Sequence, residues 1–157
     1  IAKFQNKSID EDVDLKETNF QGKDKESIVK TRVNQSFFRS SVLSSYNQKC
    51  CITGLNIPDL LIASHIIPWS IDEKNRLNPR NGLCLNNLHD KAYDKGFITI
   101  TTDYKIKLSK SLINFTNNES VEYFFKKYEN CNIILPDRFL PDKEFLKYHN
   151  DYIFKKD

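Results

Sequence analysis

The stretch from Leu60 to Gly96 leaves the chain few ways to fold. Residues 60–68, Leu-Leu-Ile-Ala-Ser-His-Ile-Ile-Pro, are rich in aliphatic and β-branched side chains and stop at a proline, the pattern of a strand. The polar run from Ser70 to Asn81, with Pro79 inside it, predicts a turn-rich loop. Gly82 to Leu85 is a second short apolar run, and Leu88 to Lys95 has helical spacing closed by Gly96, the usual residue after a helix C-terminus. The order is strand, loop, strand, helix, which makes the fold class α+β.

The flanks add helices and one hairpin. From Ser27, a candidate cap, to about Tyr46 the spacing of Val29, Val33 and Phe37, and of Phe38 and Val42, predicts an amphipathic helix with these residues as its apolar stripe. Another face of that helix gathers Arg32, Gln35, Ser36 and Arg39. After the central unit, Phe97–Thr102 and Lys105–Leu108 alternate apolar and polar residues as a hairpin does. Glu119–Tyr128 reads as a helix, Asn132–Leu135 as a short strand, and Pro141 to about Phe154 as a closing helix. Residues 1–27, polar and acidic with Asp10, Glu11, Asp12 and Asp14 clustered, read as a linker or flexible arm, leaving 28–157 as the folded domain.

Bulk composition excludes the alternatives. With 157 residues, 39% hydrophobic, 29% charged, 4 Gly and 5 Pro, this is one folded domain's worth of chain, not a linker or a collagen-like sequence. No apolar run is long enough to cross a bilayer. The net charge of +3 conceals a block, residues 28–49, with 4 basic and no acidic side chains, the minimum a phosphate backbone asks of a partner. Cys50, Cys51, Cys84 and Cys131 form no C-x-x-C pair, so reduced, largely buried thiols and a cytoplasmic location are expected.

His65 lies on the first strand of the central unit, His89 at the start of its helix, and Asp90 and Asp94 one helical turn apart on that helix. A histidine facing two carboxylates and another imidazole would suit one divalent metal with a separate general base. Each residue also has an ordinary explanation: a strand histidine in the core, an acidic residue near a helix N-terminus, and, for Asn81 before Gly82, a plain turn. Ser64 and His65, adjacent on a strand, point to opposite faces and make no serine hydrolase dyad. Trp69 is expected to pack beneath the loop, and His149, in the last helix, to be structural.

Four separated pieces, Cys51-Ile-Thr-Gly54, Ala63-Ser-His-Ile-Ile-Pro-Trp69, Asn78-Pro-Arg-Asn-Gly-Leu-Cys-Leu85 and Leu88-His-Asp-Lys-Ala-Tyr-Asp-Lys-Gly96, together resemble the HNH endonucleases, in their bacterial restriction-type branch. The tail, with Leu135-Pro-Asp-Arg-Phe-Leu-Pro141 and Phe145-Leu-Lys-Tyr-His149, is similar to the C-terminal part of the same group. The resemblance implies a ββα-metal core, here between residues 50 and 102, and a metal-dependent endonuclease that hydrolyses DNA phosphodiester bonds in restriction or defence against foreign DNA. It implies His65 as general base and Asn81 as the brace of the loop that holds it.

The metal set implied by the resemblance is drawn from His89, Asp90 and Asp94. Which of His89 and Asp90 binds stays open, with His89 favoured, since the two differ by about 100° around a helix axis. Ser64 stands where relatives often carry a metal ligand, and a serine is a poor one. Mg²⁺ or Mn²⁺ is expected, with Zn²⁺ or Ni²⁺ admitted. Cys51 and Cys84 occupy zinc-knuckle positions whose partners are missing, and read as core cysteines. DNA contacts are expected from Arg32, Arg39, Arg76, Arg80 and Lys91. The rival expectations are a catalytically inactive DNA-binding module and an RNA-directed nuclease. A homodimer, and an upstream recognition domain ahead of Ile1, complete the expected partners.

Overall fold

The structure, a computed structural model, describes residues 22–115 and 118–156. Helix α1 spans Gly22–Ser45 and so begins before Ser27, which lies inside it and does not cap it. Lys25, Glu26 and Ser27 are exposed, and Ile28 is the first of its described side chains to be buried. The remainder of the expected arm, residues 1–21, lies outside the described residues.

The expected apolar stripe of α1 divides in two. Phe38, Val42 and Leu43 are buried, whereas Val29, Val33 and Phe37 are all more than half exposed. Phe37 and Phe38 are about 100° apart around the axis, so the two rows cannot share one contact face. The row that wins is the one opposite Gly82. A Cβ there would collide with Val42 Cγ2 and come within 2.9 Å of Phe38 Cζ. The missing side chain lets the helix settle directly on the strands.

Those strands are β1, Leu61–His65, and β2, Gly82–Asn86, paired antiparallel with His65 opposite Gly82 and Leu61 opposite Asn86. Every residue of β2 is buried, because α1 and the following helix cover it. That helix, α2, spans Asn87–Asp94; Asn86 caps it by accepting from the His89 N–H, and Gly96, at φ 77°, follows its end. The strand, loop, strand, helix order is thus formed, with short 3₁₀ turns at Glu73–Asn75 and Pro79–Asn81 inside the loop. Cys50, Cys51 and Cys84 are buried and free, and the Cys51 N–H donates to the Cys84 carbonyl. Burial pushes the Cys51 thiol well up and the Cys84 thiol up to about 12, which keeps both protonated and inert. Cys131, by contrast, is exposed.

Strands β3, Ile98–Ile100, and β4, Ile106–Leu108, form the expected hairpin, turning through Tyr104 at φ 63°. A short helix α3, Lys110–Ile113, follows. The helix expected to run to Tyr128 is α4, Glu119–Phe124, and it breaks at Phe125 into a 3₁₀ turn. No strand forms at Asn132–Leu135. Asn132 makes a single bridge to Lys105, and the next amides are drawn apart, Ile133 N–H to Tyr104 and Ile134 N–H to Cys51. The last helix, α5, spans Lys143–Tyr148 with Asp142 as cap, and passes into a π-helical turn, His149–Ile153.

This C-terminal turn is locked onto the central unit. His149 is buried, stacks on Tyr93 of α2 with ring centroids 3.7 Å apart, donates from Nε2 to the Tyr93 carbonyl and places Nδ1 2.7 Å from the Thr99 hydroxyl. A Cβ at Gly96 would strike the Ile153 carbonyl oxygen, so the glycine also permits this close approach. The structural role expected of His149 is what the contacts show.

Candidate active site

His65 ends β1, where the chain leaves the sheet for the long loop. One face of its imidazole stacks on Phe38 of α1, with centroids 3.9 Å apart and planes 10° from parallel, and Trp69 meets the ring edge-on at 5.7 Å. Nε2 lies 2.8 Å from the backbone carbonyl of Arg76. A carbonyl only accepts, so Nε2 carries the hydrogen and the neutral ring keeps its lone pair on Nδ1. Burial holds the imidazole below its ordinary pKa; the Arg76 carbonyl opposes this, and the Arg76 charge adds to it. The result is a neutral ring of defined tautomer, held on one nitrogen and basic at the other.

Asn81 supplies the order in the loop. Its Oδ1 accepts the Ile67 N–H at 2.8 Å, while Nδ2 donates to the Ile67 carbonyl at 3.2 Å and the Asn75 carbonyl at 3.3 Å. Its own carbonyl accepts the Ile66 N–H. One fully buried amide thereby joins the start of the loop, its middle and its end. The brace lies two residues from the base at one end and one residue from the Arg76 carbonyl at the other.

The Asp90 carboxylate lies across the other face of β1. Ser64, buried, donates its hydroxyl to Asp90 Oδ1 at 2.8 Å. It is therefore Ser64, and not His65, that faces the carboxylate of α2; His65 faces α1. Asp94 stands one turn beyond Asp90 on the same helix and is exposed. His89, favoured above as a ligand, is turned away. Its Nε2 donates to the Phe124 carbonyl at 2.7 Å, its Nδ1 lies 3.1 Å from the capping Asn86 Oδ1, and its ring packs against Phe125 and Tyr128. One residue's rotation about α2 separates the imidazole, directed to the C-terminal elements, from the carboxylate, directed to β1. Burial lowers the His89 pKa as well.

Among the described residues, no three His, Cys, Asp or Glu side chains converge as a ready metal site. What is present is an oxygen-only donor set, Asp90 and Asp94 on one helix face with the Ser64 hydroxyl on Asp90. This suits a hard divalent cation that keeps most of its water and takes one or two carboxylates, and it does not suit structural zinc.

The basic residues separate into two kinds. Arg39 places NH1 2.6 Å from the Leu61 carbonyl and NH2 2.9 Å from the Pro58 carbonyl, tying α1 to the entrance of β1. Arg76 lays its guanidinium over Trp69, 4.7 Å from the ring centroid, and donates from Nε to the Trp69 carbonyl at 2.8 Å. Both side chains are committed within the fold. Arg32 and Lys91 are exposed, and Arg80, also exposed, makes one long bond to the Leu140 carbonyl at 3.3 Å. Two partners escaped the sequence reading. Phe38 gave only an apolar signal, and the Arg76 carbonyl gives no signal at all, since a backbone acceptor is the same at every residue.

The profile of the HNH endonuclease family matches residues 50–101. One solved structure similar to this chain is titled "Modification dependent TagI restriction endonuclease"; identity is 19%, the TM-score 0.44, and the match covers 74% of this chain and 37% of that one. This chain thus corresponds to little more than a third of that protein's length. No curated protein matches. Among the described residues, no helix is long and apolar enough to cross a membrane.

Proposed function

We propose, from the match of residues 50–101 to the HNH endonuclease family, that the chain hydrolyses phosphodiester bonds of DNA with His65 as general base. The observation that carries the reading is the state of His65: neutral, fixed at Nε2 by the Arg76 carbonyl, with Nδ1 left as the proton acceptor. In the proposed reaction His65 Nδ1 takes a proton from water as the water oxygen bonds to phosphorus. The bond from phosphorus to the 3′ oxygen breaks, and that oxygen departs with the electron pair. Asn81 keeps the loop, and through it the base, in place. Asp90 and Asp94 would hold a divalent ion, Mg²⁺ or Mn²⁺, with Ser64 orienting Asp90. Such an ion would supply positive charge to phosphate on the α2 side of β1, the face opposite His65. Arg32, Arg80 and Lys91, exposed, would contact the phosphate backbone. A role in restriction or defence rests on the resemblance of the four motifs and the tail.

The test is nicking of plasmid DNA with Mg²⁺ or Mn²⁺, with an RNA of matched length in parallel. His65→Ala is expected to remove cleavage, and the acid limb of the wild-type rate to lie below about 6.5, the ordinary histidine value. Equal cleavage by wild type and His65→Ala would overturn the assignment of the base.

A second reading, a DNA-binding module that keeps the fold without cleaving, is favoured by Ser64 at a ligand position and by the two-carboxylate site. DNA retention without metal, and no nicking on long incubation, would select it.

A further inference from the structure

Arg76 touches the base with its backbone while its side chain does something else. The Trp69–Arg76 segment is a closed loop: the Arg76 Nε–H donates to the Trp69 carbonyl at 2.8 Å, and the guanidinium lies over the Trp69 ring. Trp69 itself abuts the His65 ring. A second ring of contacts supports the same turn, with Asp72 accepting the Asn75 N–H and Asn81 holding the Asn75 carbonyl. Glu73 is only 3.8 Å from Arg76 NH1 and is largely exposed, so that ion pair adds little.

We propose that Arg76 is the positioning residue of the base: its guanidinium, latched over Trp69, sets the loop so that its own carbonyl reaches His65 Nε2 and leaves Nδ1 as the reactive nitrogen. The inference rests on the proposed role of His65 and deepens it. It replaces the expectation that Arg76 contacts DNA. The two roles differ chemically. A phosphate contact needs charge, which lysine keeps; the latch needs a planar group with a donor at Nε, which lysine lacks. A 1 Å displacement of a catalytic group costs about a hundredfold in rate, so loss of the carbonyl from Nε2 should act on kcat and leave binding alone.

The experiment compares wild type, Arg76→Lys and Trp69→Leu, the last removing the surface beneath the guanidinium but not the carbonyl. Three readouts are taken: the tautomer and titration of His65 by ¹⁵N imidazole NMR, assigned with His65→Gln; metal-free DNA affinity against salt; and kcat and KM on plasmid. The latch predicts a wild-type Nε2–H tautomer and mixed tautomers in both variants. It also predicts a kcat lowered about tenfold to a hundredfold, with unchanged DNA affinity and salt slope. An Arg76→Lys protein with wild-type tautomer and kcat overturns the proposal, as does a folded Trp69→Leu protein with wild-type His65 signals. A lower salt slope with an intact tautomer in an uncharged Arg76→Gln protein would instead make Arg76 a phosphate contact. The NMR readout needs no cleavage. A wild-type protein that shows the expected tautomer but cuts nothing would sink the nuclease reading alone.

Discussion

Asn81 orders a loop on either side of a histidine it does not touch. Its amide satisfies both backbone groups of Ile67 and the Asn75 carbonyl, all within a loop that lacks regular strand pairing. Asn81→Asp keeps the acceptor for the Ile67 N–H but sets an oxygen against two carbonyl oxygens. It is expected to destabilise the fold by about 1–3 kcal/mol in urea unfolding and to abolish cleavage; a loss below about 0.5 kcal/mol, the scatter of ordinary surface changes, would contradict the brace. The places of His65 and Asn81 were legible because a strand end and a turn before glycine are local features. Which residue of His89 and Asp90 faces β1 was not. That depends on the phase of α2, which is set when Asn86 caps it and when Phe124, distant in sequence, offers a carbonyl to the imidazole. The internal bonds of Arg39 and Arg76 were hidden for the same reason: a sequence shows a charge, but not the carbonyls that will engage it.

Helix α1 is placed by a glycine in another element. Gly82 lets Phe38 and Val42 descend onto β2, and Phe38 in turn forms the wall against which His65 lies flat. Gly82→Ala is expected to cost about 1–3 kcal/mol by overpacking and also to lower cleavage, because the helix must rise and carry Phe38 with it. Chemical denaturation and plasmid nicking on one preparation check both; stability lost with the rate untouched would separate α1 from the site. Periodicity was enough to locate α1, β1, β2, α2 and the β3–β4 hairpin. It was not enough to choose between two apolar rows on α1, since both satisfy helical spacing and only the facing surface decides. It also overextended α4 and supplied a strand at Asn132–Leu135, where apolar residues are present but a row of ladder partners is not.

At the scale of the molecule, three histidines are held neutral, His89 and His149 in the interior and His65 half-buried at the end of β1. Burial pulls the His149 pKa down to about 4 and lowers those of His65 and His89. In the unfolded chain each would take up a proton near 6.5. Between about 4 and 6.5 the unfolded state therefore binds more protons, so the stability contributed by neutral His149 is complete above 6.5 and is lost as pH falls toward 4. At about 1.4 kcal/mol per unit this is of the order of 3 kcal/mol. Urea midpoints at pH 7 and pH 5 are expected to differ clearly in wild type and less in His149→Gln; an equal difference in both would refute the assignment. The same contact has a meaning for anyone who would transplant the family-matched unit. The family segment ends at residue 101, yet Tyr93 and Thr99 within it are closed by His149, and its glycine at 96 is shaped to admit Ile153. The recognisable motif is thus not a detachable cassette: grafted alone it would carry two open faces, one made for α1 and one for the C-terminal turn, and a working chimera must borrow both.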